Sequence, residues 1–246
     1  MRFLAALLAI ICLSKNSYSQ SSFITKLPAE GVAAVYEYKS YDPARPPNRA
    51  YKGTLTIKNL ASKKIDGESY RWIEIELHRI NDELPSDMTF IHKLLVPANS
   101  ISKGENFAKK SKVAWLHVSS KVNGNSMTRL VPEPQELFSY LFAPKKAKQK
   151  IIDKKTFETK IGKLVTKGKV RNFETTRYEP KSGVDFVYEH EQTVYTNDQS
   201  PFGGVALKSV TTRDRIKSVV ELKLKSVLQN AKTGLPKHWM PPKKSD

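Results

Sequence analysis

The sequence predicts a mainly β protein: a curled antiparallel sheet, or incomplete β-barrel, with a few short helices that include a short helical lid. Short runs alternate apolar and polar residues with a period of two, as in Tyr70–Leu77, where Ile73, Ile75 and Leu77 share one face. Turn residues separate these runs, and Asp66-Gly67 is a strong hairpin signal. Segments with helical spacing are few.

The same pattern predicts further strands at Val32–Lys39, Tyr51–Asn59, Thr89–Val96, Lys112–Ser119, Gly168–Tyr178 and Asp185–Tyr195. Another pair flanks a corner at residues 197–204. Ile216–Ala231 fits both a helical stripe and a strand. Its alternating, β-branched centre favours a strand through about Ser226.

The helical segments are short. Pro134–Phe142 begins with proline in a first-turn position, where the missing amide costs nothing, and it spaces its apolar residues as a helix does. Ala98–Lys110 is expected to hold another turn or two. Residues 20–235 are predicted to form one domain, followed by an unordered proline- and lysine-rich tail at 236–246.

The corner lies between the strand-like residues Thr193 and Val210. Asn197-Asp198 can bond the nearby backbone, Ser200-Pro201 favours extended geometry, and Gly203-Gly204 permits positive φ or a bulge. Each of these residues has a backbone reason to be there, and no proton donor is paired with a base. The segment is therefore interpreted as a shaped corner and not as an active-site loop.

The first residues have the three parts of a secretion signal, predicted to span residues 1–19. Arg2 gives the positive end, Phe3–Leu13 the apolar run and Ser17-Tyr18-Ser19 the small-x-small site, so we expect cleavage before Gln20. The apolar run is shorter than the roughly 20 residues that cross a bilayer as a helix, and no later segment is apolar enough. The chain is therefore predicted to be exported and not membrane-spanning.

Cys12 is the one cysteine, and it lies within the signal. Lipid anchoring there is the less favoured alternative, because Ile11 stands where the anchoring motif has a small residue. Without the signal, the chain has neither a thiol nor a cysteine-based metal site. A cysteine-free exported chain of this length fits the bacterial periplasm or cell surface, with its oligomeric state left open.

Basic residues are concentrated in one segment of a chain whose net charge is +18. Lys145–Arg171 holds eleven basic residues against Asp153 and Glu158. Such a surplus attracts polyanions, and anionic headgroups or envelope polymers are the expected partners unless the face is merely solvated. Nucleic acid is not expected, because the aromatic residues that stack on bases are nearly absent from the segment. The candidate polyanion contacts are Lys145, Lys146, Lys148, Lys150, Lys154 and Lys155.

No catalytic set, metal site or cofactor site is predicted. The five histidines, His78, His92, His117, His190 and His238, are all too far apart in sequence for a metal-binding pair on a helix or strand. Glu74 and Glu76 share a strand face about 6.5 to 7 Å apart, a spacing that glycoside hydrolysis uses. Such neighbours are also usual on solvated sheet surfaces, so a hydrolase acting through either glutamate is the least favoured function.

Several short motifs together resemble the periplasmic lipoprotein-carrier group of exported bacterial proteins. They are the paired Tyr36 and Tyr38, the DGESYRWIE run at 66–74, the KLLVP run at 93–97 and the corner at 200–203. The resemblance covers most of the predicted domain. It implies a strongly curled sheet around an apolar interior that carries or senses acyl chains, with no catalytic residues.

These features together predict an exported, non-enzymatic binding protein that holds a hydrophobic acyl or lipid ligand in the curled sheet. The alternative is an envelope protein that docks on anionic polymer or headgroups through its basic face. Whether the interior is open or filled by the protein's own side chains is left open. The candidate ligand contacts lie on the predicted lid: Leu137, Phe138, Leu141 and Phe142.

Overall fold

Nearly all of the described chain is β-sheet. The computed structural model describes residues 23–45, 50–81, 83, 86–100, 110–131, 136–141, 147–179 and 183–236. Across these residues the strands are β1 Val32–Tyr41, β2 Tyr51–Ile65, β3 Glu68–Asn81, β4 Ser86–Pro97, β5 Val113–Ser120, β6 Ser126–Val131, β7 Lys148–Thr159, β8 Gly162–Glu179, β9 Val184–Thr196, β10 Gly204–Arg213 and β11 Ile216–Leu228. The predicted mainly β fold is confirmed. The predicted signal, residues 101–109 and the tail after 236 lie outside the described residues.

All eleven strands described belong to one antiparallel sheet, in the order β6-β5-β4-β3-β2-β1-β11-β10-β9-β8-β7. The first strand lies in the middle and pairs with β2 on one side and β11 on the other. Each arm is then a meander of sequential hairpins. Because β6 and β7 are the two edges, the sheet is open, as the prediction of an incomplete barrel requires.

Two local predictions about strands are also confirmed. In the β2–β3 hairpin, Asp66 (φ 50°) and Gly67 (φ 79°) both have the positive φ of a two-residue I′ turn. The ambiguous segment after Arg215 is the strand β11, which runs to Leu228. By contrast, the sequence analysis did not identify β6 and did not separate β7 from β8. The reason is that β6 and β7 contain too few buried residues to show a clear alternation of apolar and polar side chains.

One face of the sheet, here called the inner face, carries the main core. Tyr36, Leu55, Ile75, Leu94 and Leu207 lie on it and are almost completely buried. The sheet is also curled, because the amide of Lys160 in the β7–β8 turn donates to the carbonyl of Lys225 on β11 at 3.1 Å, although β9 and β10 lie between β8 and β11 in the sheet.

The segment before β1 ties two distant parts of the fold together. The amide of Phe23 donates to the carbonyl of Leu141 at 3.0 Å, and the amide of Thr25 donates to the carbonyl of Phe202 at 2.9 Å. Ile24 forms an isolated bridge with Gly203. The start of the described chain thus joins residues 136–141 to the corner.

The corner itself is built from backbone hydrogen bonds, as predicted. The carbonyl of Asn197 accepts from the amide of Ser200 at 3.1 Å, and the carbonyl of Ser200 accepts from the amide of Gly203 at 3.0 Å. The side chain of Asn197 accepts from the amide of Gln199 at 2.7 Å, which is the Asx turn expected of this residue. Gly203 has φ 85°.

No helix in the part of the chain that the structure describes is long and apolar enough to cross a membrane.

Candidate ligand site on the inner face

The predicted lid is a short 3-10 helix, Glu136–Leu141, which is kinked at Phe138 (φ −115°, ψ 19°). Residues three apart point the same way in a 3-10 helix, so Phe138 and Leu141 enter the core together. Both are essentially fully buried. Within the described part of the helix expected over Pro134–Phe142, a tighter helix places two apolar side chains on the inner face.

These lid side chains fill the inner face. The ring of Phe138 stacks on that of His92 with centroids 6.1 Å apart, and it meets Tyr140 edge-on at 6.4 Å. Of the four candidate ligand contacts, Phe138 and Leu141 belong to the main core, whereas Phe142 and the side chain of Leu137 lie outside the described residues. Their role in holding a ligand stays a prediction.

Beside the lid, a row of polar residues crosses three strands on the inner face. Arg171 on β8 pairs with Gln192 on β9, and Gln192 pairs with Ser209 on β10. All three are buried, with 2%, 1% and 2% of their surface exposed. The amide Nε2 of Gln192 donates to the carbonyl of Tyr140 at 3.0 Å and to Oγ of Ser209 at 3.3 Å. The polar row therefore holds the lid in place.

Three polar atoms of this site have no hydrogen-bond partner among the described residues: Nε of Arg171, Oε1 of Gln192 and the hydroxyl of Tyr140. Burial lowers the pKa of Arg171 to about 10. A buried charge is strongly unfavourable unless an opposite charge and hydrogen bonds compensate for it. Within the described chain, Arg171 is thus a guanidinium that lacks a counter-ion.

A second arginine lies on the other arm of the sheet. The guanidinium of Arg79 on β3 stacks over the rings of Tyr51 and Phe90, with its central carbon 4.5 and 4.9 Å from their centroids. Its Nε also lacks a partner among the described residues. Burial raises the pKa of Tyr140, Tyr38 raises it further, and the charge of Arg79 opposes them. The positive charge of Arg79 therefore acts electrostatically on the hydroxyl of Tyr140.

Lys169 adds to the positive charge near Arg171. It lies two residues before Arg171 on β8, on the same strand face. Burial lowers the pKa of Lys169, and the charges of Arg171 and Lys167 lower it further. The site thus carries the charge of Arg171, offers donors from Arg171 and Tyr140, and adjoins the apolar core. This combination suits a carboxylate or phosphate that is attached to an apolar chain.

Four of the six candidate polyanion lysines lie on the neighbouring edge strand. Lys148, Lys150, Lys154 and Lys155 are exposed on β7, and the ammonium of Lys155 lies 5.4 Å from the ring centroid of Phe157. Lys145 and Lys146 lie outside the described residues. A bulge in β7 between Ile152 and Lys155 interrupts the alternation, so these lysines do not form one continuous row.

Glu74 is buried and Glu76 is only partly exposed, contrary to the expectation of a solvated surface for such neighbours. The ammonium Nζ of Lys58 lies 2.8 Å from Glu74 and 2.6 Å from Glu76, and Glu74 is fully buried. Thr233 and Gly234 of the C-terminal segment cover Glu74 and donate hydrogen bonds to it. Both carboxylates thus neutralise a buried lysine, and Glu74 also anchors the C-terminal segment.

A separate open groove of about 520 Å³ lies between the β7–β8 turn and the corner. Its lining is aliphatic with two glutamines, and includes Ile161, Leu164, Pro201 and Val227. The corner therefore forms a wall of this groove, a role that its turn residues alone did not indicate. The groove has no part in the Arg171 row.

The sequence analysis missed Arg171, Gln192 and Ser209. Strand alternation offered one signal. Gln192 lies two residues from the apolar Val194, and Ser209 lies two residues from the apolar Leu207, so each polar residue shares a strand face with an apolar one. The register that aligns the three across β8, β9 and β10 could not be read from the sequence, because it depends on pairing between separate hairpins.

Comparison with known proteins does not assign the chain to a family. No family profile and no curated protein sequence matches the chain. A Bacteroides fragilis structure, described provisionally as an exported protein with a YmcC-like fold, shares 9% identity and covers 84% of this chain and 99% of its own, with a TM-score of 0.34. A Parabacteroides distasonis structure, described provisionally as a lipoprotein, shares 13% identity and covers 84% and 100%, also with a TM-score of 0.34. Similarity at this level carries no argument about function.

Proposed function

We propose that this chain is an exported, non-enzymatic binding protein for an amphipathic anion, namely an acyl chain that ends in a carboxylate or a phosphate. The observation that carries the proposal is the buried guanidinium of Arg171, whose Nε has no partner among the described residues. An anionic headgroup would supply the missing charge and accept hydrogen bonds from Arg171 and Tyr140. A charge-assisted hydrogen bond of this kind is about twice as strong as a neutral one.

The apolar part of the ligand would take the place of lid side chains. Phe138 and Leu141 occupy the inner face beside the polar row, and the backbone of their lid is attached to the rest of the fold through Gln192 and Phe23. A 3-10 helix has poorer hydrogen-bond geometry than an α-helix, so a short segment of this kind is easier to displace. Lifting the lid would expose apolar surface next to Arg171.

Export of the protein rests on the sequence. The arrangement of Arg2, the apolar run to Leu13 and the small residues at 17–19 is typical of a cleaved signal. That the protein is not an enzyme is also part of the proposal. The groups gathered around Arg171 offer positive charge and hydrogen-bond donors, which suit binding.

Binding of cis-parinaric acid and of its methyl ester tests the proposal, because the two fluorescent probes share a chain and differ in charge. We expect the mature protein to bind the acid more tightly, and Arg171→Met to weaken acid binding by at least tenfold, on the scale of other buried charge pairs that lose one partner. Binding of the ester should change little. The matched control is Arg129→Met, at an exposed arginine on β6.

Two outcomes would overturn the proposal. The first is equal affinity for acid and ester in the unmodified protein, since the headgroup would then make no contribution. The second is an Arg171→Met variant that binds the acid as the unmodified protein does. A probe held in the groove at Leu164 and Val227 would give this second result.

A further inference from the structure

The β7–β8 hairpin carries a surface that the ligand site does not use. Lys163, Val165, Lys167 and Lys169 alternate along β8 and share one strand face with Arg171, while Leu164, Thr166 and Gly168 between them are buried. Ile151 on β7 pairs with Lys169. We call the exposed members of this set the docking strip: Ile151, Lys163, Val165 and Lys167.

Two features of the docking strip are unusual for a solvated surface. Ile151 is 77% exposed and Val165 is 59% exposed, so two large aliphatic side chains face solvent among lysines. The sequence from Lys145 to Arg171 also has eleven basic residues against two acidic ones. Lys163 forms an ion pair with Glu158 at 3.5 Å, but both side chains are exposed and such a pair contributes little.

We propose that the docking strip binds the surface of an anionic lipid bilayer. Lysines near a membrane are attracted by the negative charge of its headgroups, while exposed aliphatic side chains gain by entering the boundary between headgroups and acyl chains. A soluble anionic polymer would use the lysines but would leave Ile151 and Val165 in water. The pairing of aliphatic and basic residues on one face therefore favours a bilayer over a polymer.

Vesicle flotation of the mature chain tests this surface, with vesicles of phosphatidylglycerol and phosphatidylethanolamine compared with vesicles of phosphatidylcholine. We expect binding to the anionic vesicles alone. Replacing Ile151 and Val165 by serine should weaken it about tenfold, since each removes apolar surface from the bilayer. The matched control is the Val187→Ser, Ile216→Ser double variant, which removes one valine and one isoleucine that are 52% and 64% exposed on β9 and β11.

A charge variant tests the lysines separately. Lys167→Gln should weaken vesicle binding about fivefold, whereas Lys63→Gln, at an exposed lysine on β2, should have little effect. Circular dichroism should be unchanged in all of these variants. Binding of cis-parinaric acid in solution should be unchanged in the serine variant of Ile151 and Val165 and in the control variants, because none of those residues lies in the Arg171 row.

The proposal is wrong if the serine variant of Ile151 and Val165 binds anionic vesicles as the unmodified protein does. It is also wrong if dextran sulfate binds with the same lysine dependence while vesicles do not, because the hairpin would then be a polymer site. Loss of vesicle binding in the serine variant, with acid binding retained, would establish membrane docking independently of the ligand site.

Discussion

The hydroxyl of Thr233 donates a hydrogen bond to Oε2 of Glu74 at 2.5 Å, joining residues 159 positions apart in the sequence. The amide of Gly234 donates to Oε1 of the same carboxylate at 2.8 Å, where Nζ of Lys58 also lies at 2.8 Å. Lys93 on β4 donates to Oγ1 of Thr233 at 3.3 Å. The C-terminal segment thereby converts charged residues on the outer face of the sheet into a buried, hydrogen-bonded cluster.

Glu74→Gln should lower the free energy of unfolding by about 3 kcal/mol, because Lys58 stays buried after it loses one of its two counter-charges. Urea denaturation at neutral pH measures this. The matched control is Glu76→Gln, whose side chain is 29% exposed and should contribute about 1 kcal/mol or less. Equal losses in the two variants would contradict the role given to the C-terminal cover.

This cluster shows where local sequence patterns stop being informative. Alternation along β3 correctly placed Glu74 opposite Ile73 and Ile75. It could not show that Glu74 is buried, because the residues that cover it come from Thr233 and Gly234, far along the chain. Strands and two-residue turns are local and were predicted, whereas burial by a distant segment is not encoded near the residue that it buries.

The close approach of the N-terminal segment to the corner gives a second prediction. A Cβ at Gly203 would lie 1.8 Å from Oγ1 of Thr25, and Gly203 has φ 85°. Gly203→Ala should therefore cost about 3 kcal/mol, from backbone strain together with overpacking. Thermal or urea unfolding of the mature chain measures it.

Gly124→Ala is the matched control for this substitution. Gly124 also has positive φ, 64°, but a Cβ there meets nothing within 4 Å. It should cost about 1 kcal/mol, the strain of the backbone alone. If the two alanine variants are equally stable, the contact between Thr25 and the corner does not constrain the fold.

The candidate site shows the same limit of sequence reasoning as the ionic cluster. Of the apolar residues whose spacing predicted the lid, Phe138 and Leu141 belong to the core. The identity of the residues beneath the lid depended on the register between β8, β9 and β10, which places Arg171 beside Gln192. In the sequence, Arg171 is one of eleven basic residues in its segment, and no local pattern marks it, rather than the other ten, as the buried one.

His92 gives the lid a predictable response to acid. Burial lowers its pKa to about 4 from 6.5, and its ring stacks on Phe138. Because the pKa is lowered in the folded state, the unfolded chain binds the proton first. The contribution of the neutral His92 ring to the free energy of unfolding is complete above about pH 6.5. It decreases as the pH falls toward 4, by roughly 3 kcal/mol in total.

The His92→Phe variant separates this effect from the titration of carboxylates. It keeps a ring against Phe138 but removes the titrating group and an Nε2 atom that has no hydrogen-bond partner among the described residues. Urea unfolding between neutral pH and about pH 4 should show a smaller loss of stability in the variant. Parallel curves for the two proteins would mean that protonation of His92 is not coupled to unfolding.

Arg171 provides the last prediction, in which stability and binding change in opposite directions. Without ligand, Arg171→Met should raise the free energy of unfolding by about 1 to 3 kcal/mol, because it replaces a buried, uncompensated charge by an apolar chain of similar length. With cis-parinaric acid at about a hundred times its dissociation constant, the unmodified protein should gain about 2.7 kcal/mol and the variant almost nothing. Arg129→Met, at an exposed site, should leave both measurements within about 0.5 kcal/mol. A large loss of stability in Arg171→Met without ligand would show that an acidic group of the chain itself neutralises Arg171, and the anion site would then be occupied from within.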